Sequence, residues 1–158
     1  MADTITIRSA GPAEAALLLD LMRRAFAEYR GVLQPESSVF VETAAAIAGK
    51  LGEGGGFLAV ARAHPVGCVI AEAKGAKGYL GRLAVLPEAR RRGIAQRLMQ
   101  AGEAFLREHG RKAAEINVRI ALAGNIALFE RLGYRETARR AHPGWPAPTY
   151  LVMEKSLE

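Results

Sequence analysis

Hydrophobic and polar residues alternate in some segments and follow a helical spacing in others, which predicts a mixed α/β fold. Residues 4–8 alternate strictly, which is typical of a half-buried strand. Apolar residues from Leu17 to Tyr29 recur every three or four positions and predict an amphipathic helix behind Pro12. A second helix is predicted over residues 39–51, where the many alanines leave the periodicity weaker.

The rest of the chain predicts six further strands and two further helices. Pro87 ends one strand because proline cannot donate to a sheet ladder, and a helix with one apolar stripe runs from Gly93 to His109. His64-Pro65 is predicted to join two strands as a hairpin. The strands cover residues 57–63, 66–73, 79–85, 113–120, 134–139 and 149–155, and the shorter helix covers residues 125–132. This order predicts one domain over residues 1–158, with a mixed, mostly antiparallel sheet of about seven strands flanked by about four helices.

Composition excludes several classes of protein. Half of the 158 residues are hydrophobic and 24% are charged, which is unlike a disordered tail or a membrane protein. The single cysteine, Cys68, lies in an apolar run, which predicts a buried thiol, no internal disulfide and a cytoplasmic location. Residues 1–4 lack a secretory leader pattern, and no apolar stretch approaches the roughly 20 residues of a membrane-spanning helix. The histidines His64, His109 and His142 lack metal-ligand spacing, so no metal is predicted.

The net charge of +6 is confined to the second half of the chain. Residues 1–79 carry eight basic and eight acidic side chains, whereas residues 80–158 carry fourteen and eight. Arginine supplies 17 of the 22 cations, and its planar fork suits phosphate and carboxylate groups. The isoelectric point of about 9.9 is compatible with nucleic-acid binding, but the sequence has no recognition-helix motif and no interleaving of basic and aromatic residues. The pattern therefore predicts an anion site and no nucleic acid.

The segment from Leu83 to Ala95 is the most informative part of the chain. A predicted strand ends at Pro87, three consecutive arginines follow, and a helix begins at Gly93. The first N–H groups of a helix lack intrahelical partners and lie at its positive end, so this turn is predicted to hold a pyrophosphate. The alternative is a solvated surface turn. Neither a G-x-x-x-x-G-K-[ST] loop nor a G-x-G-x-x-G turn after the first strand occurs, which argues against the common nucleotide and dinucleotide sites.

Two short motifs resemble those of a known family, the GNAT superfamily of N-acyltransferases. The first is similar to the R/Q-x-x-G-x-G/A acyl-CoA signature and consists of Arg90-x-x-Gly93-x-Ala95 after Leu83-x-Val85-x-Pro87. The second resembles a later segment of the superfamily and consists of Asn125, Ala127 and Phe129 followed by Gly133-Tyr134. The order of elements is also similar, so the resemblance covers nearly the whole chain and implies a single-domain GNAT-like fold.

The resemblance implies an N-acetyltransferase that transfers the acetyl group of acetyl-CoA to a primary amine. Backbone N–H groups from Arg91 to Gln96 are expected to bind the pyrophosphate, and the strand edge around Val85 is expected to pair with the pantetheine arm. The Val85 N–H is the expected donor to the thioester carbonyl, where negative charge grows during attack. Asn125 is expected to contact the arm, to cap its helix, or to do both. The expected cofactor-binding residues are Leu83, Ala84, Val85, Arg90, Arg91, Arg92, Gly93, Ile94, Ala95, Gln96, Asn125 and Phe129.

Catalysis requires a base, because an amine with a pKa of about 10.4 must lose a proton before it attacks. Glu72, at the end of a predicted strand, and His142, which titrates near neutrality, are the two candidates. The superfamily usually places an acid tyrosine after the phenylalanine of the second segment, and this sequence has Glu130 there. The tyrosines that could replace it are Tyr150 in the first place, and Tyr29 or Tyr79 as alternatives.

The acceptor is the least determined part of the prediction. Arg82 and Arg119 each lie within an otherwise apolar strand, where they either face the surface or point into the acceptor cleft. In the cleft they would bind a carboxylate, so a small-molecule amine bearing a carboxylate is expected, with Tyr29 as a further acceptor-side residue. A protein lysine or N-terminus, and a silent acyl-CoA-binding module without turnover, are the alternatives. Dimers are common among similar proteins, so a homodimer is one open outcome for the assembly.

Overall fold

Seven strands form one sheet and four α-helices pack on it in residues 4–158, the part of the chain that this computed structural model describes. Residues 1–3, which the leader prediction includes, lie outside the described residues. The strands are β1 (Ile5–Ala10), β2 (Gly55–Ala61), β3 (His64–Glu72), β4 (Gly78–Val85), β5 (Ala113–Arg119), β6 (Arg135–Arg140) and β7 (Tyr150–Ser156). The helices are α1 (Ala15–Phe26), α2 (Ala44–Glu53), α3 (Ile94–Glu108) and α4 (Ala123–Arg131). Among these four helices of residues 4–158, none combines the length and apolar character that crossing a membrane requires.

The sheet has the strand order β1-β2-β3-β4-β5-β7-β6. Neighbouring strands are antiparallel except for β4 and β5, which run parallel. The ladder between these two contains just two residue pairs, Gly78 with Ala114 and Tyr79 with Glu115. Beyond Tyr79 the strands separate and leave a gap in the sheet. The mixed, mostly antiparallel sheet predicted from the sequence is confirmed.

The core lies on both faces of the sheet, and β3 is buried on both of its sides. Cys68 and Ile70 pack with side chains of α1 and α2, whereas Val69 and Ala71 pack with α3. This alternation follows the two-residue period of a strand and explains the continuous apolar run in the sequence. Complete burial of one such isoleucine stabilises the fold by about 1.5–3 kcal/mol. The Cys68 thiol is fully buried, and burial raises its pKa to about 12.

Two helices begin at positions that differ from the prediction. α2 begins at Ala44 and not at residue 39, because Thr43 Oγ1 accepts a hydrogen bond from a first-turn N–H at 3.1 Å and caps the helix. The residues before this cap form a separate 3₁₀ turn, Ser38–Phe40. α4 begins at Ala123, so Asn125 lies inside its first turn and is not the helix cap.

Two backbone irregularities shape the strands on either side of β3. The hairpin between β2 and β3 turns at Arg62 and Ala63, whose φ angles are 49° and 64°. His64 and Pro65 belong to β3, so the predicted turn position is wrong by two residues. In β4 the register against β3 shifts near Arg82, which has a φ of 56°. Such a bulge bends the strand and redirects its side chains.

Candidate active site

The gap between β4 and β5 leaves one edge of β4 without a strand partner. Leu86 donates its N–H to the Val66 carbonyl, on the β3 side, at 2.9 Å. Because successive residues of a strand direct their backbone groups to opposite sides, the N–H and C=O of Val85 point into the gap. There the Val85 carbonyl accepts a hydrogen bond from Arg90 Nε at 3.2 Å. The Val85 N–H is thus presented on an open strand edge, to which an extended ligand can pair.

A cleft of about 920 Å³ extends from this edge and is bounded by β4, β5, α4 and the start of α3. The predicted cofactor-side residues that line it are Leu83, Ala84, Val85, Arg90, Arg91, Gly93, Ile94, Ala95, Gln96, Asn125 and Phe129. The predicted catalytic and acceptor-side residues that line it are Tyr29, Glu72, Arg82, Arg119, His142 and Tyr150. Arg92 does not line the cleft. The fold therefore gathers into one cavity residues that are widely separated along the sequence.

The N-terminus of α3 opens into the cleft without a side-chain cap. Arg97 donates the first helical hydrogen bond, to the Gly93 carbonyl at 3.1 Å, so the three preceding N–H groups lack helical partners. Gly93 has a φ of 74°, and no atom lies within 4 Å of the position that a Cβ would occupy. Arg91 has a φ of 64°, and left-handed residues in a turn direct neighbouring N–H groups to one side. This open, positively polarised turn fits a phosphate group.

Arg90 holds this turn in place. Its Nη1 donates to Glu28 Oε1 at 2.6 Å, its Nη2 donates to the Ala25 carbonyl at 3.1 Å, and its Nε donates to Val85. Three of the five N–H donors of the guanidinium are thereby committed to protein groups. The side chain joins the arginine turn to the end of α1 and to the open edge of β4, so positioning is the contribution that its geometry supports.

Arg82 and Arg119 also bind protein groups, an arrangement that the sequence does not predict for either residue. Arg82 donates to Glu42 Oε2 at 2.8 Å and to Ser38 Oγ at 2.9 Å. Arg119 donates to the Pro35 carbonyl. Residues 35–42 connect α1 to α2 and contain little regular structure. The two arginines therefore fasten this segment to the sheet while they line the cleft.

Arg119, Tyr150 and His142 form one cluster at the wide end of the gap. Arg119 is paired with Tyr150 across β5 and β7, and the ring centroids of Tyr150 and His142 lie 5.1 Å apart. Thr149 Oγ1 contacts the His142 ring at Nδ1 and accepts the His142 backbone N–H at 3.0 Å. Burial and the positive charge of Arg119 lower the pKa of His142 from its usual value of 6.5. The imidazole is therefore neutral at pH 7 and can accept a proton.

Glu72 lies at the narrow end of the cleft. It is paired with Tyr79 between β3 and β4, at the level where β4 still contacts β5. Tyr79 precedes Val85 by roughly 20 Å of extended strand. Tyr79 pairs with Glu115 on β5, and Arg119 lies four residues further along that strand. Arg119 therefore lies level with the last residues of β4. Along the strand direction, the His142 cluster therefore lies closer to the level of Val85 than Glu72 does.

Comparison with known families identifies the fold. The model of the acetyltransferase (GNAT) family matches residues 17–134. The chain belongs to the GNAT acetyltransferase family. The match runs from α1 to Tyr134, just after α4, so it includes β4, β5 and the start of α3 but not His142 or Tyr150. The GNAT-like fold predicted from the sequence is confirmed, and membership of this family makes the protein an acyltransferase.

Solved structures with the GNAT fold cover this chain almost completely at low sequence identity. The PaiA N-acetyltransferase from Thermoplasma acidophilum, in complex with coenzyme A, has a TM-score of 0.79 at 17% identity, over 97% of this chain and 99% of its own. The ribosomal-protein-S18-alanine N-acetyltransferase from Escherichia coli has a TM-score of 0.77 at 21% identity, over 98% and 94%. A GNAT family acetyltransferase from Elizabethkingia anophelis, with acetyl-CoA bound, has a TM-score of 0.72 at 17% identity, over 98% and 99%. A comparison with curated protein sequences found no match.

Helix α4 of this GNAT chain presents Phe129, and not Glu130, to the cleft. Leu128, Phe129 and Leu132 line the cleft, whereas Glu130 is exposed and does not. Glu130, which stands where the superfamily usually has a tyrosine, therefore lies outside the cleft. Since phenylalanine has no proton to donate, an acid would have to come from another element, and Tyr150 on β7 is the predicted source that lies beside His142.

Five polar residues of the cleft are absent from the sequence prediction. They are Ser37, Ser38, Lys50, Asn117 and Arg131. Asn117 is an exposed polar residue within the apolar pattern of β5. The alternation of apolar and polar positions along this strand could therefore have predicted that its side chain is not part of the core. The serines reach the cleft through the contacts that fasten residues 35–42 to the sheet, and no local pattern marks them.

Proposed function

We propose that this GNAT acetyltransferase transfers the acetyl group of acetyl-CoA to the primary amine of a small molecule. The observation that carries the proposal is one cleft in which the open edge of β4 adjoins an uncapped helix N-terminus. The presence of CoA or acetyl-CoA in two structures of the same fold supports it. Residues 1–158 would act as a single acyl-CoA-binding domain.

The backbone from Arg91 to Gln96 would hold the pyrophosphate, and the edge from Leu83 to Val85 would pair with the pantetheine arm, flanked by Asn125 and Phe129. When bound, acetyl-CoA supplies an activated acetyl group as a thioester. The Val85 N–H would then donate to the carbonyl oxygen, at the position where negative charge grows. Donors that are fixed in advance are usually the largest single contribution to catalysis of this kind.

His142 is the proposed base. Its imidazole is neutral at pH 7, Thr149 holds its Nδ1 side, and along the strand direction it lies closer to the level of Val85 than Glu72 does. Nε2 would take the proton from the acceptor amine, directly or through water. Tyr150 would donate a proton to the departing thiolate. Glu72 is the second candidate for the base, and its place at the narrow end of the cleft makes a relay through water necessary.

Arg119 is the proposed contact for an acidic group of the acceptor. Arg82 has a carboxylate partner, Glu42, at 2.8 Å, whereas Arg119 has no carboxylate within 4 Å among residues 4–158. Burial lowers the pKa of Arg119, and the negative charge of Glu36 offsets this effect only in part, which indicates that the charge is incompletely hydrated. A carboxylate or another anion on the acceptor would compensate this charge, whereas a polycation would be repelled.

A thiol-release assay with a panel of amines, preceded by calorimetric titration of acetyl-CoA, tests the proposal. Acetyl-CoA is expected to bind, and CoA is expected to be released only when an amine is present. The variant His142→Gln is expected to lose at least 100-fold in kcat with little change in acetyl-CoA affinity, which is the usual scale for a general base. The exposed His64 lies outside the cleft, and His64→Gln serves as the matched control. Tight binding of acetyl-CoA without turnover of any amine would contradict the proposal and would favour a silent binding module.

A further inference from the structure

We infer that the acceptor carries an aromatic or branched apolar group, which binds in a second groove beyond His142. The inference rests on the proposed function, because it names the class of amine that the same site takes. The groove has a volume of about 600 Å³, and its apolar walls include Phe40, Val41, Pro143 and Trp145. Its place next to the proposed base is what connects it with the reaction.

The groove and the cleft adjoin each other. Ser37, Ser38, His142 and Pro143 line both of them. An amine whose nitrogen lies at His142 can therefore direct the rest of the molecule either back into the cleft or outward into the groove. Since the cofactor would occupy the β4 side of the cleft, the groove is the space that remains for the body of the acceptor.

Exposed apolar side chains are concentrated in this groove. Across residues 4–158, the large hydrophobic side chains that stand exposed are Val32, Val41 and Trp145, and the last two line the groove. Trp145 lies in a loop that contains three prolines, so its position is held without burial. An exposed indole beside a catalytic residue favours a ligand with apolar surface, because burying that surface stabilises the complex.

The charges around the groove exclude a polycationic acceptor. The Arg30 guanidinium lies 4.4 Å above the Phe40 ring, and Arg119 binds the Pro35 carbonyl at the junction with the cleft. The acidic side chain that lines the groove, Glu36, accepts a hydrogen bond from the Gly31 N–H at 2.6 Å. The two guanidinium groups of Arg30 and Arg119 outnumber the single carboxylate of Glu36, which already accepts a hydrogen bond. This balance of charge repels a polyamine or a basic peptide and accepts a monoamine with an apolar body.

Two measurements on the unmodified protein test the inference. The first compares kcat/KM for 2-phenylethylamine, 3-methylbutylamine, ethylamine and spermidine. The two amines with apolar bodies are expected to exceed ethylamine and spermidine at least tenfold. The second uses fluorescence, since Trp145 is the single tryptophan of the chain. In the presence of CoA, 2-phenylethylamine is expected to shift the emission of Trp145 at concentrations at which ethylamine does not.

Two variants provide the decisive comparison. Trp145→Ala is expected to lower kcat/KM for 2-phenylethylamine at least five times more than it lowers that for ethylamine, with the loss expressed in KM. Val32→Ser also removes an exposed apolar side chain but lies outside the groove, and it is expected to change neither value. Light scattering of both variants monitors the assembly of the chain.

Several outcomes would overturn the inference. Equal kcat/KM for ethylamine and 2-phenylethylamine, or an equal loss of both in Trp145→Ala, would show that the groove does not select the acceptor. A dimer that Trp145→Ala dissociates would show that a second copy of the chain covers the groove instead. If amines are acetylated without preference for apolar bodies, this inference alone fails. If no amine of a wider panel that includes amines bearing a carboxylate is acetylated, the proposed function fails, and the fluorescence titration still decides whether the groove binds apolar amines.

Discussion

Replacing Tyr134 by phenylalanine tests how a buried charged cluster supports α3. The Tyr134 hydroxyl donates to Glu103 Oε2 at 2.8 Å, and Lys155 Nζ lies 3.1 and 3.2 Å from the two oxygens of the same carboxylate. Tyr134 and Glu103 are buried, and neither lines the cleft. The cluster ties the middle of α3 to β7 and to the turn after α4, so its loss should change stability and not chemistry.

The magnitude follows from which contacts remain. Tyr134→Phe keeps the ring and its packing but removes one hydrogen bond to a charged acceptor, which contributes about 1.5–3 kcal/mol. Glu103 retains Lys155, so its carboxylate is not left unpaired, and the lower part of that range applies. A loss of about 1.5–2 kcal/mol in a domain of this size lowers Tm by roughly 3–8 °C. Lys155→Met removes the cationic partner of a buried carboxylate and should cost more, about 3–5 kcal/mol.

Urea unfolding at pH 7, followed by circular dichroism, measures these differences. Tyr150→Phe is the matched control for the chemical change, because no hydrogen bond of the Tyr150 hydroxyl occurs within the described part of the chain. It should leave the free energy of unfolding within about 0.5 kcal/mol of the parent value. A Tyr134→Phe variant as stable as the parent, or one less destabilised than Tyr150→Phe, would refute the role assigned to the cluster.

Three further predictions concern the cleft. Gly93→Ala should weaken acetyl-CoA binding in calorimetry, because alanine at a φ of 74° costs about 1–2 kcal/mol and displaces the turn. Gly75→Ala is the control, since it imposes the same strain at a φ of 69° outside the cleft and should leave the affinity unchanged. Arg119→Met should raise the pKa of His142, since it removes a cation that disfavours the imidazolium form. The acidic limb of the pH profile of kcat/KM should therefore move to higher pH. An unmoved limb would exclude His142 as the base. Arg90→Lys should reduce acetyl-CoA affinity severalfold, because a single ammonium cannot replace three directed hydrogen bonds, and an unchanged Kd would contradict the positioning role.

Local sequence signals were sufficient to predict the turn that precedes α3. Pro87, the arginine turn and Gly93 are contiguous, and each has a direct backbone consequence: the end of a strand, a turn and the start of a helix. For that reason the predicted cradle and the observed uncapped N-terminus of α3 occupy the same residues.

The acceptor side could not be predicted in this way, because it is assembled from residues far apart in sequence. Arg82 binds Ser38 and Glu42 across about 40 intervening positions, and Arg119 binds Pro35 across 84. A hydrophobic pattern gives the face of a strand on which an arginine lies but not the partner that it meets there. The start of α2 was misplaced for a related reason, since the alanines extend a helical pattern through residues where the capping geometry of Thr43 decides the boundary.

The two-pair ladder between β4 and β5 divides the sheet into an N-terminal half, β1–β4, and a C-terminal half, β5–β7, each continuous in sequence. Backbone amides along the unpaired edge should exchange with deuterium quickly in the free enzyme, because local opening there breaks few hydrogen bonds. An arm of acetyl-CoA paired with that edge would supply the missing strand and link the halves. Binding should then slow exchange across both halves together, so the substrate would contribute to the mechanical continuity of the sheet as well as to the reaction.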